Sequence, residues 1–314
     1  MRNTSKRDIA LQELKVSQPC ELLDFLINGK VRKSRNAIKS LLAHKQIKVN
    51  DRLVTQYNHG LDAGDRVSVM KFDRSRKEKR LNGLKIVFED DEIIVIDKEA
   101  GFLSVSTDKE KSRTVYGTLN EYVKKNNKND RVFVLHRLDR EVSGLMIFAR
   151  SAELQEIFQK NWNNLVKEYV YTAVVEGKPE QKEGTITSWL TENKNFVMTS
   201  SPTDNGGLKS VTHYKVVKFA GRYSLLDFDL ETRRKNQIRI HMQSVGHPVA
   251  GDKKYGASSN PAKRTALHVR ELVLKHPATG ELLEFRSPIP QTMRQLATAP
   301  SEEAALSQTE DKKP

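Results

Sequence analysis

The chain has 314 residues, 37% hydrophobic and 30% charged, with a net charge of +14. It has no apolar run near the roughly 20 residues that a membrane-spanning helix needs, so it is expected to be soluble, and its length suits a small module followed by a larger domain. Cys20 is the single cysteine, which excludes an intrachain disulfide. Together with an N-terminus that lacks the apolar core of a secretory signal, this sets the expectation of a cytoplasmic protein.

The charge is uneven: residues 1–80 hold 19 Lys and Arg against 9 Asp and Glu, which is +10 of the total. A local cationic region favours a polyanion, either nucleic acid or an anionic membrane surface, although a solvated basic face is the plainer alternative. In chain order, residues 1–17 are expected to be a tail and residues 18–72 a small module. Leu22, Phe25 and Leu26 near helical spacing predict a short helix that stops near Gly29. Ser34 can cap a second helix, in which Ala37, Ile38, Leu41 and Leu42 form the packing stripe. Arg35 and Lys39 fall on another face, with Arg32 and Lys33 just before the cap, and these four are the candidate phosphate contacts. Ile47 and Val49, a turn at Asn50-Asp51, and Leu53-Val54 predict a hairpin, and Arg66–Met70 a closing strand.

Residues 73–83 carry five basic side chains and almost no apolar ones, which predicts an exposed linker. Over residues 84–292, strand-like runs at 86–88, 93–96, 132–135, 145–149, 170–175, 211–219 and 225–230 are interrupted by helical periodicity at 154–165 and 237–245. Asn236 is a candidate cap for the last of these and Gly246 its stop. The irregular order predicts an α+β fold with a mixed, largely antiparallel sheet and flanking helices. Residues 293–314 are expected to be a disordered tail.

The most informative stretch is His136-Arg-Leu-Asp-Arg-Glu-Val-Ser-Gly-Leu145, a polar loop between two apolar runs. A carboxylate at Asp139, flanked by Arg137 and Arg140, should stay ionised if those charges lie near it, and an ionised carboxylate can be a nucleophile. On loop chemistry alone, an Asp in a surface turn is the commoner situation. His136, His241, His247 and His268 have no recognised metal-ligand spacing, and no metal is expected.

Two resemblances sharpen the expectation. Ser34-Arg-Asn-Ala-Ile-Lys-Ser-Leu-Leu42, Ile47-Lys-Val-Asn-Asp-Arg-Leu-Val54 and Leu61-Asp-Ala-Gly-Asp-Arg-Val67 resemble the S4 RNA-binding module. The Asp139 loop resembles the signature of the RluA-type pseudouridine synthases, which isomerise uridine to pseudouridine in RNA. So do Ile93-Ile-Val-Ile-Asp-Lys-Glu-Ala-Gly101, Tyr171-Thr-Ala-Val-Val-Glu-Gly177, Thr232-Arg-Arg-Lys-Asn-Gln-Ile-Arg-Ile-His-Met242 and Gly246-His-Pro-Val-Ala-Gly-Asp-Lys-Lys-Tyr-Gly256. Against the family pattern, Glu99 stands where proline is usual, Tyr169 where lysine is common, Arg233 for glycine and Asn236 for histidine.

That resemblance implies Asp139 as the catalytic aspartate, Arg239 as its partner, and Tyr171 as the residue that stacks near uracil and helps take the C5 proton. It also implies Leu267 at the uracil pocket, and His136 and Arg137 filling the space of a flipped nucleotide or holding its phosphates, or else bracing the loop. No redox cofactor is needed, since the reaction moves no electrons out of the substrate. The expected partner is structured RNA, with ribosomal RNA favoured by resemblance to S4-bearing members and transfer RNA left open. Neither a membrane nor an obligate protein partner is implied, and the expected state is a monomer. A noncatalytic RNA-binding or ribosome-assembly factor is the rival from another class.

Overall fold

Two large apolar cores divide the described residues, and each is explained by the pattern of the strands and helices around it. In this computed structural model, residues 10–31, 35–43, 46–70, 79–106, 114–125 and 127–298 are described. The first core is enclosed by β1 (Ala10–Lys15), β2 (Cys20–Glu21), α1 (Leu22–Asn28), α2 (Arg35–Ala43), β3 (Ile47–Val49), β4 (Arg52–Leu53), β5 (Gly60–Leu61) and β6 (Arg66–Met70). Leu22, Leu23 and Leu26 of α1 meet Ile38, Leu41 and Leu42 of α2 and Ile47, Val67 and Val69 of the sheet, all of them buried. Asn50 and Asp51 both take left-handed backbone, with φ of 46° and 67°. Their short polar side chains tolerate that conformation, which gives a two-residue turn between β3 and β4.

The expectation of a tail over residues 1–17 is corrected here. β1 pairs antiparallel with β6 at the edge of a four-stranded sheet ordered β1-β6-β3-β4, and Val16 is buried in the core. The edge of β6 needs a hydrogen-bonding partner, and the polar Gln12 and Glu13 disguised the strand that supplies it. Arg32, Lys33 and the capping candidate Ser34 lie outside the described residues.

The second core belongs to a twelve-stranded sheet. Its elements are β7 (Lys79–Leu81), β8 (Leu84–Glu89), β9 (Ile93–Lys98), α3 (Val115–Lys124), β10 (Phe133–Val134), β11 (Ser143–Ala149), α4 (Ala152–Leu165) and β12 (Val166–Glu176). They continue as β13 (Glu183–Glu192), β14 (Met198–Ser201), β15 (Leu208–Ala220), β16 (Tyr223–Leu230), α5 (Gln237–Ser244), a 3-10 turn (Lys253–Tyr255), β17 (Leu267–Lys275), β18 (Leu282–Arg286) and α6 (Gln291–Leu296). The strand order is β14-β13-β15-β16-β12-β17-β11-β9-β8-β7, with β10 on β11 and β18 on β17. The fold is α+β with a mainly antiparallel sheet, as expected, and β11 with β17 is the parallel pair among the described strands.

That parallel pair explains a glycine. Gly144 has φ of 112°, and a Cβ there would stand 2.2 Å from the Val269 carbonyl oxygen. Only glycine lets β11 approach β17 this closely.

Two boundaries move relative to the sequence expectation. Lys79–Leu81 pairs with β8, so the second half of the supposed linker is part of the sheet. Met293 and Ala297 are buried against the core, so the chain stays ordered past residue 292; both faces of the sheet need apolar cover, and α6 supplies some of it. No helix among the described residues is long and apolar enough to cross a membrane.

Candidate active site

The loop joining β10 to β11 is fixed by backbone contacts on both sides of Asp139. Ser104 Oγ donates to the Leu138 carbonyl at 2.6 Å and accepts the Leu138 N–H at 3.0 Å. The Gly101 N–H donates to the Arg140 carbonyl at 2.8 Å, and the Val142 N–H to that of Asp139 at 3.1 Å. Lys98, buried under the loop, donates from Nζ to the carbonyls of Glu99 at 3.0 Å, Phe102 at 2.7 Å and Arg140 at 3.0 Å. Burial, and then the charge of Arg264, pull this ammonium down to about 7. Glu99 also donates its N–H to the Gly83 carbonyl at 3.0 Å, a bond that a proline at this position could not make.

The Asp139 side chain, 31% exposed, receives Nη1 of Arg239 at 3.0 Å. The rest of that guanidinium is held from behind: Nε and Nη2 fork onto the two oxygens of Asp252 at 2.5 and 2.8 Å, and Asp252 is 1% exposed. A two-bond fork fixes the plane as well as the position of the arginine. Burial works against the Arg239 charge, but Asp252, through hydrogen bonds and charge, and Asp139 outweigh it and raise the guanidinium above the ordinary arginine value. Gly251, with φ of 79°, lets the chain turn under Arg264 immediately before Asp252; a Cβ there would lie 2.1 Å from the Arg264 carbonyl oxygen.

Asn236 does not cap α5 with its side chain. It sits in left-handed backbone with φ of 57°, and its carboxamide is used elsewhere. The oxygen accepts a second bond from Arg239 Nη1 at 3.1 Å, and the amide donates to the Tyr255 hydroxyl at 2.7 Å. The Tyr255 ring in turn lies 5.0 Å from the Arg239 guanidinium carbon.

Tyr171 stands on β12 opposite Val269 of β17 and Phe228 of β16. Burial pushes its hydroxyl well above the ordinary tyrosine value, opposed by the charge of Arg233 and reinforced by that of Asp139, so Asp139 lies within electrostatic reach. Tyr169 on the same strand face meets Tyr171 edge to face at 5.2 Å.

His136 does not reach for a phosphate. Its Nε2 accepts the Ile147 N–H at 3.0 Å, and its Nδ1 lies 3.3 Å from the Tyr169 hydroxyl, which itself donates to the Leu145 carbonyl at 2.8 Å. The proton therefore belongs on Nδ1, and both ring nitrogens are engaged. Burial, then the charge of Arg233, pull the imidazole down to about 3, so the ring is neutral and braces the loop between Trp162 and Tyr169 at 5.4 and 5.1 Å. Of the two roles expected for His136, this packing supports the bracing one over contact with the nucleotide.

The structure thus pairs Asp139 with Arg239, sets Tyr171 on the neighbouring strand within electrostatic reach of Asp139, and leaves Arg137 exposed on the loop. Leu267 is buried on β17 beside Ala173 of the tyrosine strand. Arg35 and Lys39 are exposed on α2, in the other module. Asp252 is a member of the site that the order of residues does not single out, because its burial against Arg239 arises only in the folded chain. Of the two remaining departures from the family pattern, Tyr169 joins the ring cluster and Arg233 lies 5.2 Å over the Trp162 ring.

Two further histidines are buried among hydroxyl partners. His241 sits between Ser188 and Thr212 at 2.9 and 2.8 Å, and His268 meets Ser143 at 2.8 Å. Burial pulls both from 6.5 to about 4. With His136, three imidazoles stay neutral in the folded chain where the unfolded chain protonates them, so unfolding takes up protons as pH falls below 6.5. Thermal unfolding should therefore show Tm dropping steadily from pH 6.5 to 4.5, and His241→Gln should flatten the slope. A Tm constant over that range would contradict the neutral assignments.

Residues 92–244 match the RNA pseudouridylate synthase family model. An uncharacterized RNA pseudouridine synthase of Bacillus subtilis, YhcT, is 33% identical over 283 residues, covering 89% of this chain and 93% of that protein. The ribosomal large subunit pseudouridine synthase D of Vibrio cholerae is 31% identical over 303 residues, covering 88% and 90%. Human RNA pseudouridylate synthase domain containing 4 shares the fold, with a TM-score of 0.56 at 20% identity over 67% of this chain and 92% of that one. The chain belongs to the RluA-type RNA pseudouridine synthases, isomerases that act on RNA.

Proposed function

We propose that the substrate is large-subunit ribosomal RNA and that the Asp139 carboxylate acts on the sugar of the target uridine. The observation that carries the chemical reading is the chain of contacts from Asp139 to Arg239 to Asp252, with the last pair almost fully buried. Isomerisation breaks the N1–C1′ bond, turns the base, forms the C5–C1′ bond, and moves a proton from C5 while N1 gains one. Arg239 occupies Oδ2 of Asp139, which in this reading assigns Oδ1 to the sugar, as nucleophile or as the charge that stabilises a cationic C1′. Tyr171 stays a neutral phenol, so its part is to seat uracil against the tyrosine strand and relay the C5 proton, its oxygen accepting that proton as its own hydroxyl proton leaves to solvent, from which N1 gains one. His136 keeps the loop in shape for both steps.

The choice of RNA is supported by the Vibrio relative, which is named for the ribosomal large subunit, and by a second protein of that name in Haemophilus influenzae at 30% identity. The N-terminal module, read as S4-like, supplies recruitment through the exposed Arg35 and Lys39 face of α2. Replacing both with Gln should lower the slope of log affinity against log salt by roughly two. An unchanged slope would remove this face from recognition. Mapping pseudouridine by position in ribosomal and transfer RNA from cells lacking the protein tests the substrate. The expected result is a site lost from large-subunit ribosomal RNA; a loss confined to transfer RNA would overturn the reading.

A further inference from the structure

Phe196 is the most exposed large apolar side chain among the described residues, at 66%. It sits at the tip of the β13–β14 hairpin with φ of 59°, left-handed backbone that a bulky side chain adopts only at a cost. The tip is nevertheless tightly built. The Asn193 carboxamide oxygen accepts the N–H groups of Asn195 and Val197 at 2.9 and 3.0 Å, and the Asn193 carbonyl accepts that of Phe196 at 2.9 Å. Lys254 Nζ donates to the Phe196 carbonyl at 3.2 Å, and Lys235 Nζ, which also pairs with Glu192, lies 5.9 Å from the ring centre. A phenylalanine held outward at such a conformational cost, with nothing apolar to cover it, needs a reason on the surface.

Its position supplies one. Val197, Met198 and Leu190 of the hairpin pack against Ile240 of α5 and the Tyr255 ring. That ring lies against Arg239, which holds Asp139, and Lys254 stands over the other part of the same ring at 5.5 Å. Phe196 is therefore linked to Asp139 by four consecutive contacts, through Lys254, Tyr255 and Arg239. An exposed aromatic ring with one ammonium 5.9 Å from its centre and a second bonded to the carbonyl of the same residue matches a nucleotide, with its base on the ring and its phosphates on the lysines; an acyl chain or an apolar peptide has no use for the cations.

We infer that Phe196 is a stacking platform for an unpaired nucleotide next to the uridine held at Asp139, with Lys235 and Lys254 meeting its phosphates. This rests on the reading of Asp139 as the reacting group in an RNA site. It adds a positioning residue that works through RNA geometry rather than through the chemistry: flipping one uridine unstacks its neighbours, and an aromatic face at the rim replaces part of the lost stacking.

The test uses the full-length enzyme and an unmodified large-subunit ribosomal RNA transcript, with wild type, Phe196→Ala, Phe196→Leu and Phe196→Trp side by side. Direct RNA affinity and, for active protein, KM and the single-turnover rate at saturating RNA are measured for each. Phe196→Ala should weaken affinity and raise KM by roughly tenfold, the single-turnover rate at saturation should hold, Trp should restore binding and Leu should not. Tm should be the same in all four, because the ring is exposed. Equal affinity in wild type and Phe196→Ala would overturn the inference, and so would rescue by Leu, which would mean simple apolar contact. An inactive wild type would count against the proposed reaction, and the affinity comparison would still decide the role of Phe196.

Discussion

Arg239→Ala is expected to lower the rate of pseudouridine formation by a factor on the order of 10²–10³ while RNA affinity changes only a few-fold. Two losses combine. Asp139 loses the Nη1 contact that fixes its direction, and Asp252, 1% exposed, is left without its cation. A stranded buried charge typically costs about 3–5 kcal/mol, so the alanine variant should also be less stable. Arg239→Lys separates the effects. An ammonium can satisfy Asp252 but cannot fork onto it and reach Asp139 in one plane, so stability should largely return while the rate stays low. Single-turnover rate, RNA affinity and Tm measured together check this. A loss of affinity with no rate defect at saturating RNA would mean that Arg239 clamps RNA rather than orients Asp139.

Gly144→Ala should be the most damaging small substitution in the sheet. The added methyl would meet the Val269 oxygen at 2.2 Å and its nitrogen at 2.5 Å, both backbone atoms, at a φ of 112° that side chains rarely adopt. Neither strand can yield locally. β11 is buried along its whole length, and Ser143 is tied to His268 at 2.8 Å and to Arg264 at 2.9 Å. A cost on the order of 3–5 kcal/mol follows, which for a domain of this size lowers Tm by roughly 10 °C. Activity should fall with it, because the Asp139 loop enters the sheet through this strand. A Gly144→Ala protein with unchanged Tm would show that β11 and β17 are not pressed together as described.

What could be read from the sequence follows the range of the interactions involved. The helix pair and hairpin around Ile38, Leu41, Ile47 and Val67 are local patterns, and so are the apolar runs of β9 and β11; both show in the order of residues. Asp139 and Arg239 were identifiable through motifs, although they lie 100 residues apart and no spacing rule joins them. The roles of Asp252 and Tyr255 depend on a turn after Gly251 that folds back beneath α5, which only the tertiary structure reveals. β1 and β13 were hidden by polar and charged residues, because edge and outer strands show water one face. The sequence could not choose between the two roles of His136, nor show that the Asn236 side chain leaves the helix start for Arg239, because each depends on a specific buried partner.

The most direct test of the central claim is pseudouridine formation on ribosomal RNA purified from cells lacking the protein, with wild type and Asp139→Asn side by side and the product mapped by position. Asn keeps the shape of the side chain and can still face Arg239, but it lacks the carboxylate. Site-specific product from wild type and none from Asp139→Asn is the predicted result; equal product from both would show that the Asp139 carboxylate does not carry the reaction.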